Sequence, residues 1–225
     1  MFTSLILSCA LVGDGPIRNA IREMKPSPPA PGKTIANSLE MLNELDESAK
    51  SGIPSHLLAK AEAVVLIPDT IKAGFMLAGR GGHGLALVRT EKGDWGPPTF
   101  VNLGGVSFGP QLGFQATDVV LVVKTKKGLE RLLKGQSGKL TLGVDAGVAA
   151  GPVGRKAEAQ TDGQFKSEIL SYSKSRGLFA GVSLTGGVLY TADETNDLFA
   201  RDTSAETAIA LGKLKAKLDS MASHK

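Results

Sequence analysis

Between Gly74 and Gly113 the chain places 11 of its 28 glycines inside or between stretches that otherwise alternate with a period of two. No other feature constrains the fold as tightly. A period of two is the signature of strands, and glycine inside a strand marks a bulge, a tight bend or the close approach of another backbone. From Val64 onward, the segments 63–67, 72–79, 83–90, 100–108, 112–123, 139–149, 168–175 and 178–190 read as strands. Aromatic residues make up only 5% of the chain, so packing rests on Val, Leu, Ile and Ala around a bendable backbone.

Helical periodicity brackets this strand-rich region. In TIANSLEMLNELDESAK, Ile35, Leu39, Leu42 and Leu45 share one face, Thr34 stands where an N-cap would, and Glu40, Glu44, Asp46 and Glu47 make the outer face acidic. A short second helix is expected after Pro54, with Leu57, Leu58 and Ala61 turned inward. Residues 124–134, KTKKGLERLLK, interrupt the strands with a third, which has Leu129, Leu132 and Leu133 on one side and Lys126, Lys127, Arg131 and Lys134 on the other. Over 206–222, Leu211, Leu214, Leu218 and Met221 recur at heptad-like spacing, which in so short a helix reads as a packing face. The predicted class is α+β: a curved antiparallel sheet or partial barrel flanked by N-terminal, middle and C-terminal helices. Proline-rich KPSPPAPGK separates an N-terminal segment, 1–33, from a domain over 34–200 and a C-terminal helix over 201–225.

Charge narrows the partners. The net charge of +4 is uneven, with 5 Lys/Arg against 6 Asp/Glu over 1–52, 16 against 13 over 53–200, and 5 against 3 over 201–225. A mildly basic body suits an anionic surface such as a lipid headgroup layer and falls short of a dedicated nucleic-acid binder. With Cys9 as the single cysteine, neither an internal disulfide nor a cysteine zinc site can form. Leu5 to Ser8, just before it, resembles a bacterial lipoprotein processing box, although no Lys or Arg precedes it and the apolar run is shorter than the ~7–15 residues of a secretory signal. Cys9 is thus the lipidation candidate, and a membrane-associated exported lipoprotein and a cytoplasmic protein both stand as readings. No run of ~18 apolar residues could span a bilayer.

AGRGGHGLALVR sets Gly79, Gly81 and Gly84 in the G-x-G-x-x-G spacing of a dinucleotide loop. Such a loop works only where a helix follows at once and turns its N-terminus to the pyrophosphate. Here LALVRT continues a strand, so a glycine hairpin is expected, and a nucleotide-dependent enzyme is the third functional reading. His56, His83 and His224 have no partner at metal-ligating spacing. DETND from Asp193 has Leu198 and Ser204 where a calcium loop needs Gly and Glu, which leaves a helix cap or surface turn. With no G-x-S-x-G and no nucleophile beside an evident base, the chain is predicted to have no catalytic residue, metal or cofactor.

Six stretches in order, GIPSHLLAKAEAVVLIP, KAGFMLAGRGGHGLALVR, GDWGPPTFVNLGG, QLGFQATDVVLVV, GVDAGVAAGPVGR and ILSYSKSRGLFAGVSLTGGVL, resemble successive blocks of the SYLF domain over 52–190. The resemblance implies a non-catalytic lipid-binding module. Eukaryotic members bind phosphoinositides and, in fungi, actin filaments; bacterial members are often small exported or lipid-anchored proteins. Headgroup recognition needs Lys and Arg that converge on phosphate, and Lys72, Arg80, Arg89, Arg155, Lys156, Lys174 and Arg176 lie in or beside the matching blocks. Arg155 follows GPVG, whose glycines let backbone amides and guanidinium approach one anion. The basic helix with Lys126, Lys127, Arg131 and Lys134 is a second candidate, as a membrane contact. One departure concerns the segment before the core: it is basic and amphipathic in lipid-binding members, whereas residues 35–50 here carry an acidic face and are expected to pack on the sheet. The expected function is recognition of anionic phospholipid at a membrane surface, with an actin-binding-like protein-interaction module as the alternative.

Overall fold

Uninterrupted apolar runs such as AVVLI and VVLVV suit strands buried on both faces, and the sheet they build is covered on both. The computed structural model describes residues 29–47, 52–75, 77–108, 113–134, 139–152, 167–175, 178–181, 184 and 186–223; at 47, 72–75, 77–79, 106–108, 113–115, 133–134, 175, 178–179 and 181 the description is of backbone. In chain order the elements are α1 (Pro31–Glu47), α2 (Ser55–Ala59), β1 (Ala63–Phe75), β2 (Leu77–Arg89), β3 (Trp95–Phe108), β4 (Gly113–Val123), α3 (Lys126–Lys134), β5 (Lys139–Thr141), β6 (Val148–Ala150), β7 (Ile169–Ser175), β8 (Leu178–Gly181), β9 (Val188–Thr191), α4 (Asp193–Arg201) and α5 (Ala205–Ser223).

The strands form one 9-stranded sheet in the order β5-β9-β3-β2-β1-β4-β7-β6, with β8 also on β7. All pairings are antiparallel except β6 with β7, so the sheet is mixed. Its two ends, β5 and β6, are consecutive in the chain and separated only by residues 142–147. Laid flat, the seven gaps from β5 to β6 would span about 34 Å at ~4.8 Å each, whereas the link reaches at most about 25 Å. The sheet must therefore curl into a half-barrel. The link is also pinned at both ends: Leu142 N donates to Gly187 O at 2.7 Å, and Gly147 O accepts from Glu168 N and Ile169 N at 3.0 Å each. Between them Gly143, at φ 84°, occupies the left-handed region that glycine enters without steric cost.

Two cores result. Val64, Leu66, Leu85, Leu87, Phe100, Val120 and Val122 face α1, α2 and α5, where Ile35, Leu42, Leu45, Leu58, Leu214, Leu218 and Met221 pack on them. On the opposite face Val65, Ile67, Ala86, Leu103, Val119 and Leu121 meet Leu140, Leu142, Leu184 and Leu189, with Leu129 and Leu132 of α3 packed alongside. The predicted apolar face of the first helix and the seam of the last helix are thus both core. The acidic side of α1 also works inside the fold, since Glu44 pairs with Lys174 of β7 and Asp46 with Lys217 of α5, the latter at 2.7 Å.

Several expected boundaries move. The helix starts at Pro31 and not after Thr34, which is buried inside its first turns and donates its N–H to Ala30 O at 3.1 Å. DETND opens a complete helix, α4, with Asp193 and Glu194 in its first turn, where negative charge meets the positive end of the helix dipole. The segments 139–149 and 178–190 each divide into two strands because each leaves one part of the sheet and rejoins another.

The glycine hairpin is also corrected. Phe75 pairs with Leu77, so the chain reverses between them, and the glycine run lies inside the continuous strand β2. Gly81, Gly82 and Gly84 have no positive φ. What Gly82 and Gly84 accommodate is a bulge in β1, where the register against β2 shifts between Leu66 and Ile71 and that against β4 between Ile67 and Thr70. Pro68 supplies no N–H there, and Asp69 has φ 51°. The bulge presses on β2 so closely that a Cβ on Gly84 would stand 2.0 Å from Leu66 O, and one on Gly82 2.6 Å from Thr70 Oγ1.

Candidate functional site

Past the bulge the β1–β2 hairpin continues for five paired rows, flanked by β3 and β4. Ile71, Gly81, Gly104 and Ala116 align first. Next come Lys72, Arg80, Gly105 and Gln115, then Ala73, Gly79, Val106 and Phe114. Phe75, Leu77 and Phe108 align in the last row. The ladder thus sets two cations from the predicted headgroup set directly opposite each other, an arrangement that destabilises a sheet when nothing neutralises it. Arg80 is half-buried, burial lowers its pKa, and no ion pair joins it to a described residue. Neither 70–89 nor 95–117 contains an Asp or Glu.

Arg89, Lys174, Arg131 and Lys127 are engaged within the fold. Arg89 donates from Nε to Ala61 O at 3.1 Å, from Nη2 to Leu58 O at 3.3 Å and from Nη1 to Gly93 O, and its guanidinium lies 4.1 Å over the Trp95 ring. Trp95 Nε1 in turn donates to Asp219 of α5 at 3.0 Å. Lys174 is held by Glu44 and stands across the ladder from Asp118, whose carboxyl is pushed up chiefly by burial. In α3, Arg131 and Lys127 converge on Glu168 at 2.8 and 3.5 Å, and Gly147 N reaches the same carboxylate at 3.3 Å. Glu168, with a side chain 13% exposed, is the counter-ion that reading the basic helix by itself misses. Lys126 opens α3 and Lys134 closes it.

The two predicted sets lie at opposite ends of the strands. Lys72 and Arg80 sit toward the reversal at 75–77, while α3 follows Val123, which pairs with Ala63 at the other end of β1. Cys9, Arg155, Lys156, Arg176 and His224 lie outside the described residues. His83 Nδ1 donates to Asn102 Oδ1 at 2.7 Å and its ring stacks on Phe100, a contact within the fold. Among the described residues no group of three or more His, Cys, Asp or Glu could hold a metal ion, and no helix is long and apolar enough to cross a membrane.

Comparison by sequence finds relatives of this chain. SH3 domain-containing YSC84-like protein 1 of Bos taurus is 40% identical over 147 residues, covering 65% of this chain and 42% of that protein. The Homo sapiens protein of the same name is 39% identical over the same length and shares. Protein YSC84 of Saccharomyces cerevisiae is 34% identical over 165 residues, 72% of this chain and 35% of its own. The chain therefore spans about two-fifths of the length of these relatives. No solved structure matches. The Ysc84 family, described as Las17-binding protein actin regulator, matches residues 104–221. That span is more than half of the chain and runs from the strands of the half-barrel into α5, so this chain belongs to the Ysc84 family, the SYLF-domain proteins its six sequence blocks resemble.

Proposed function

We propose that this domain is a non-catalytic module that docks on anionic phospholipid surfaces through the outer end of its central strands. One observation carries the reading: Lys72 and Arg80 share a ladder row in a part of the sheet without a carboxylate, while Arg89, Lys174, Arg131 and Lys127 have partners inside the fold. Two like charges held together become favourable when an anion sits between them. Each such residue near an anionic membrane is worth about 1 kcal/mol.

Co-sedimentation with phosphatidylcholine vesicles, with and without phosphatidylserine, tests this. Binding rises with the anionic fraction and falls with added salt. Lys72→Gln with Arg80→Gln weakens it roughly 30-fold, the equivalent of two such contacts, whereas Lys127→Gln leaves it unchanged. Binding indifferent to lipid charge would remove the proposal. A protein partner is the second reading, favoured by the family description as an actin regulator. Pelleting with actin filaments, lost in the same double variant while vesicles are ignored, would support it.

A further inference from the structure

We infer that the concave side of the half-barrel holds a pocket for one terminal phosphate group, built on the corner where Arg80, Thr117 and Thr70 meet. The proposal rests on the surface-binding reading above and names the group that the Lys72–Arg80 row receives. Leu140 of β5 and Ile169 of β7 come from opposite sides of the sheet yet share one apolar cluster with Ile67, Leu103 and Leu121. That cluster therefore marks the inside of the curl. A Cβ on Gly82 would stand 2.6 Å from Thr70 Oγ1 and 2.7 Å from Ile67 Cγ2, which places Gly82 and Thr70 on the same inner side. Thr117 is the ladder partner of Thr70, and Arg80, two residues from Gly82 in one continuous strand, shares its face. Lys72 and Gln115 belong to the row of Arg80 by register.

The corner offers donors and no carboxylate. Arg80 and Thr117 are both half-buried, and neither has a hydrogen bond to a described residue. Thr70, 2% exposed, spends its hydroxyl on Ile67 O at 3.4 Å and forms part of the floor. The adjacent acids turn to the outer face: Asp69 accepts from Asn37 of α1 at 3.4 Å, and Asp118 stands opposite Lys174, which Glu44 of α1 holds. Across from Arg80, the Gly186–Gly187 turn lies over Gly105, with Gly187 Cα 3.3 Å from where a Cβ would stand. Two rows on three strands cover about 7 by 10 Å, room for one tetrahedral anion and not for a stretch of membrane. The planar guanidinium fork matches two phosphate oxygens, and the Thr117 hydroxyl can donate to a third. Buried Leu103 and Leu184 adjoin the site, and beside apolar surroundings such bonds are stronger than in water. A phosphate at the end of its molecule fits this recess, whereas the phosphodiester of phosphatidylserine carries a substituent on each side.

Thermal unfolding of the full chain in sodium phosphate, against sodium chloride at matched ionic strength, reads the free anion. Co-sedimentation with phosphatidylcholine vesicles holding phosphatidic acid or phosphatidylserine at matched surface charge reads the lipid-borne group. Phosphate is expected to raise the midpoint beyond chloride, and phosphatidic acid to bind more tightly than phosphatidylserine. Thr117→Val removes the hydroxyl at nearly constant volume and weakens both responses roughly tenfold, and Arg80→Gln weakens them roughly a hundredfold. In chloride alone Arg80→Gln keeps its midpoint, because it removes a half-buried charge that has no counter-ion in the fold; if it fails to fold, Thr117→Val carries the test. A response to free phosphate without preference for phosphatidic acid assigns the pocket to a soluble phosphate. A preference for phosphatidic acid that Thr117→Val removes, without that response, assigns it to a headgroup. Equal midpoints in the two salts with equal binding to the two lipids overturn the pocket and leave surface docking intact, and so do responses that neither variant alters. No vesicle binding, with phosphate stabilisation lost in Thr117→Val, overturns surface docking and leaves the pocket.

Discussion

Gly84 and Leu66 are in contact through backbone alone: a Cβ on Gly84 would stand 2.0 Å from the Leu66 carbonyl oxygen and 2.7 Å from the Ile67 Cα. Both obstacles are backbone atoms of the bulged strand, so no rotamer change relieves the clash. Gly84→Ala is expected to cost more than about 4 kcal/mol, in the range reserved for forced core rearrangement. Gly81→Ala, where nothing lies within 4 Å, should fall within about 1 kcal/mol of the native protein and gain slightly through the unfolded chain. Urea denaturation of the two variants checks the contrast, and equal effects would refute the role given to the bulge.

Arg89 ties the α2 end to β2 and the β2–β3 turn through three carbonyls and the face of Trp95. Lysine cannot reproduce a planar fork with five donors. Arg89→Lys is therefore expected to destabilise by about 1.5–3 kcal/mol, the scale of charged hydrogen bonds, and to shift the fluorescence of Trp95, the only tryptophan. Vesicle binding by the folded fraction should remain as in the native protein.

Glu168→Gln leaves Arg131 and Lys127 without their shared carboxylate. Loss of about 1–3 kcal/mol is expected, concentrated in α3 and the link at Gly147. Hydrogen exchange should rise over 126–134 and 142–147 and stay unchanged in α5. A uniform rise across the chain would contradict the local role.

Asp118 offers a pH test. Burial, with the charges of Asp69 and Glu44, holds its pKa above 3.8, while the Asp69 N–H at 3.1 Å and Lys174 act in the opposite direction. The folded state therefore keeps the proton more tightly than the unfolded chain just above pH 3.8, and this group's contribution to stability falls as pH rises through that window. Asp118→Asn keeps an acceptor for Asp69 N–H and removes the charge. Its thermal midpoint should match the native one below that window and exceed it at neutral pH, by no more than the about 2–4 °C that 1 kcal/mol produces in a domain this size. A lower midpoint at neutral pH would mean that Lys174 dominates.

The sequence by itself determined the class of the large elements other than α4, the inward faces of α1 and α5, and the family, because apolar period and block order are local properties of the chain. It also held the signal for the acid-free stretches 70–89 and 95–117. Only the tertiary structure decided where the chain reverses and which cations are engaged inside the fold. The glycines of β2 mark a close approach by the bulge of β1, which cannot be told from a turn until the strands are paired. Lys174 meets Glu44 across 130 residues and Lys217 meets Asp46 across 171. Such pairs depend on the curl forced by the short 142–147 link and on ladder register, in which a slip of one residue exchanges the faces of a strand and would remove Arg80 from its place opposite Lys72.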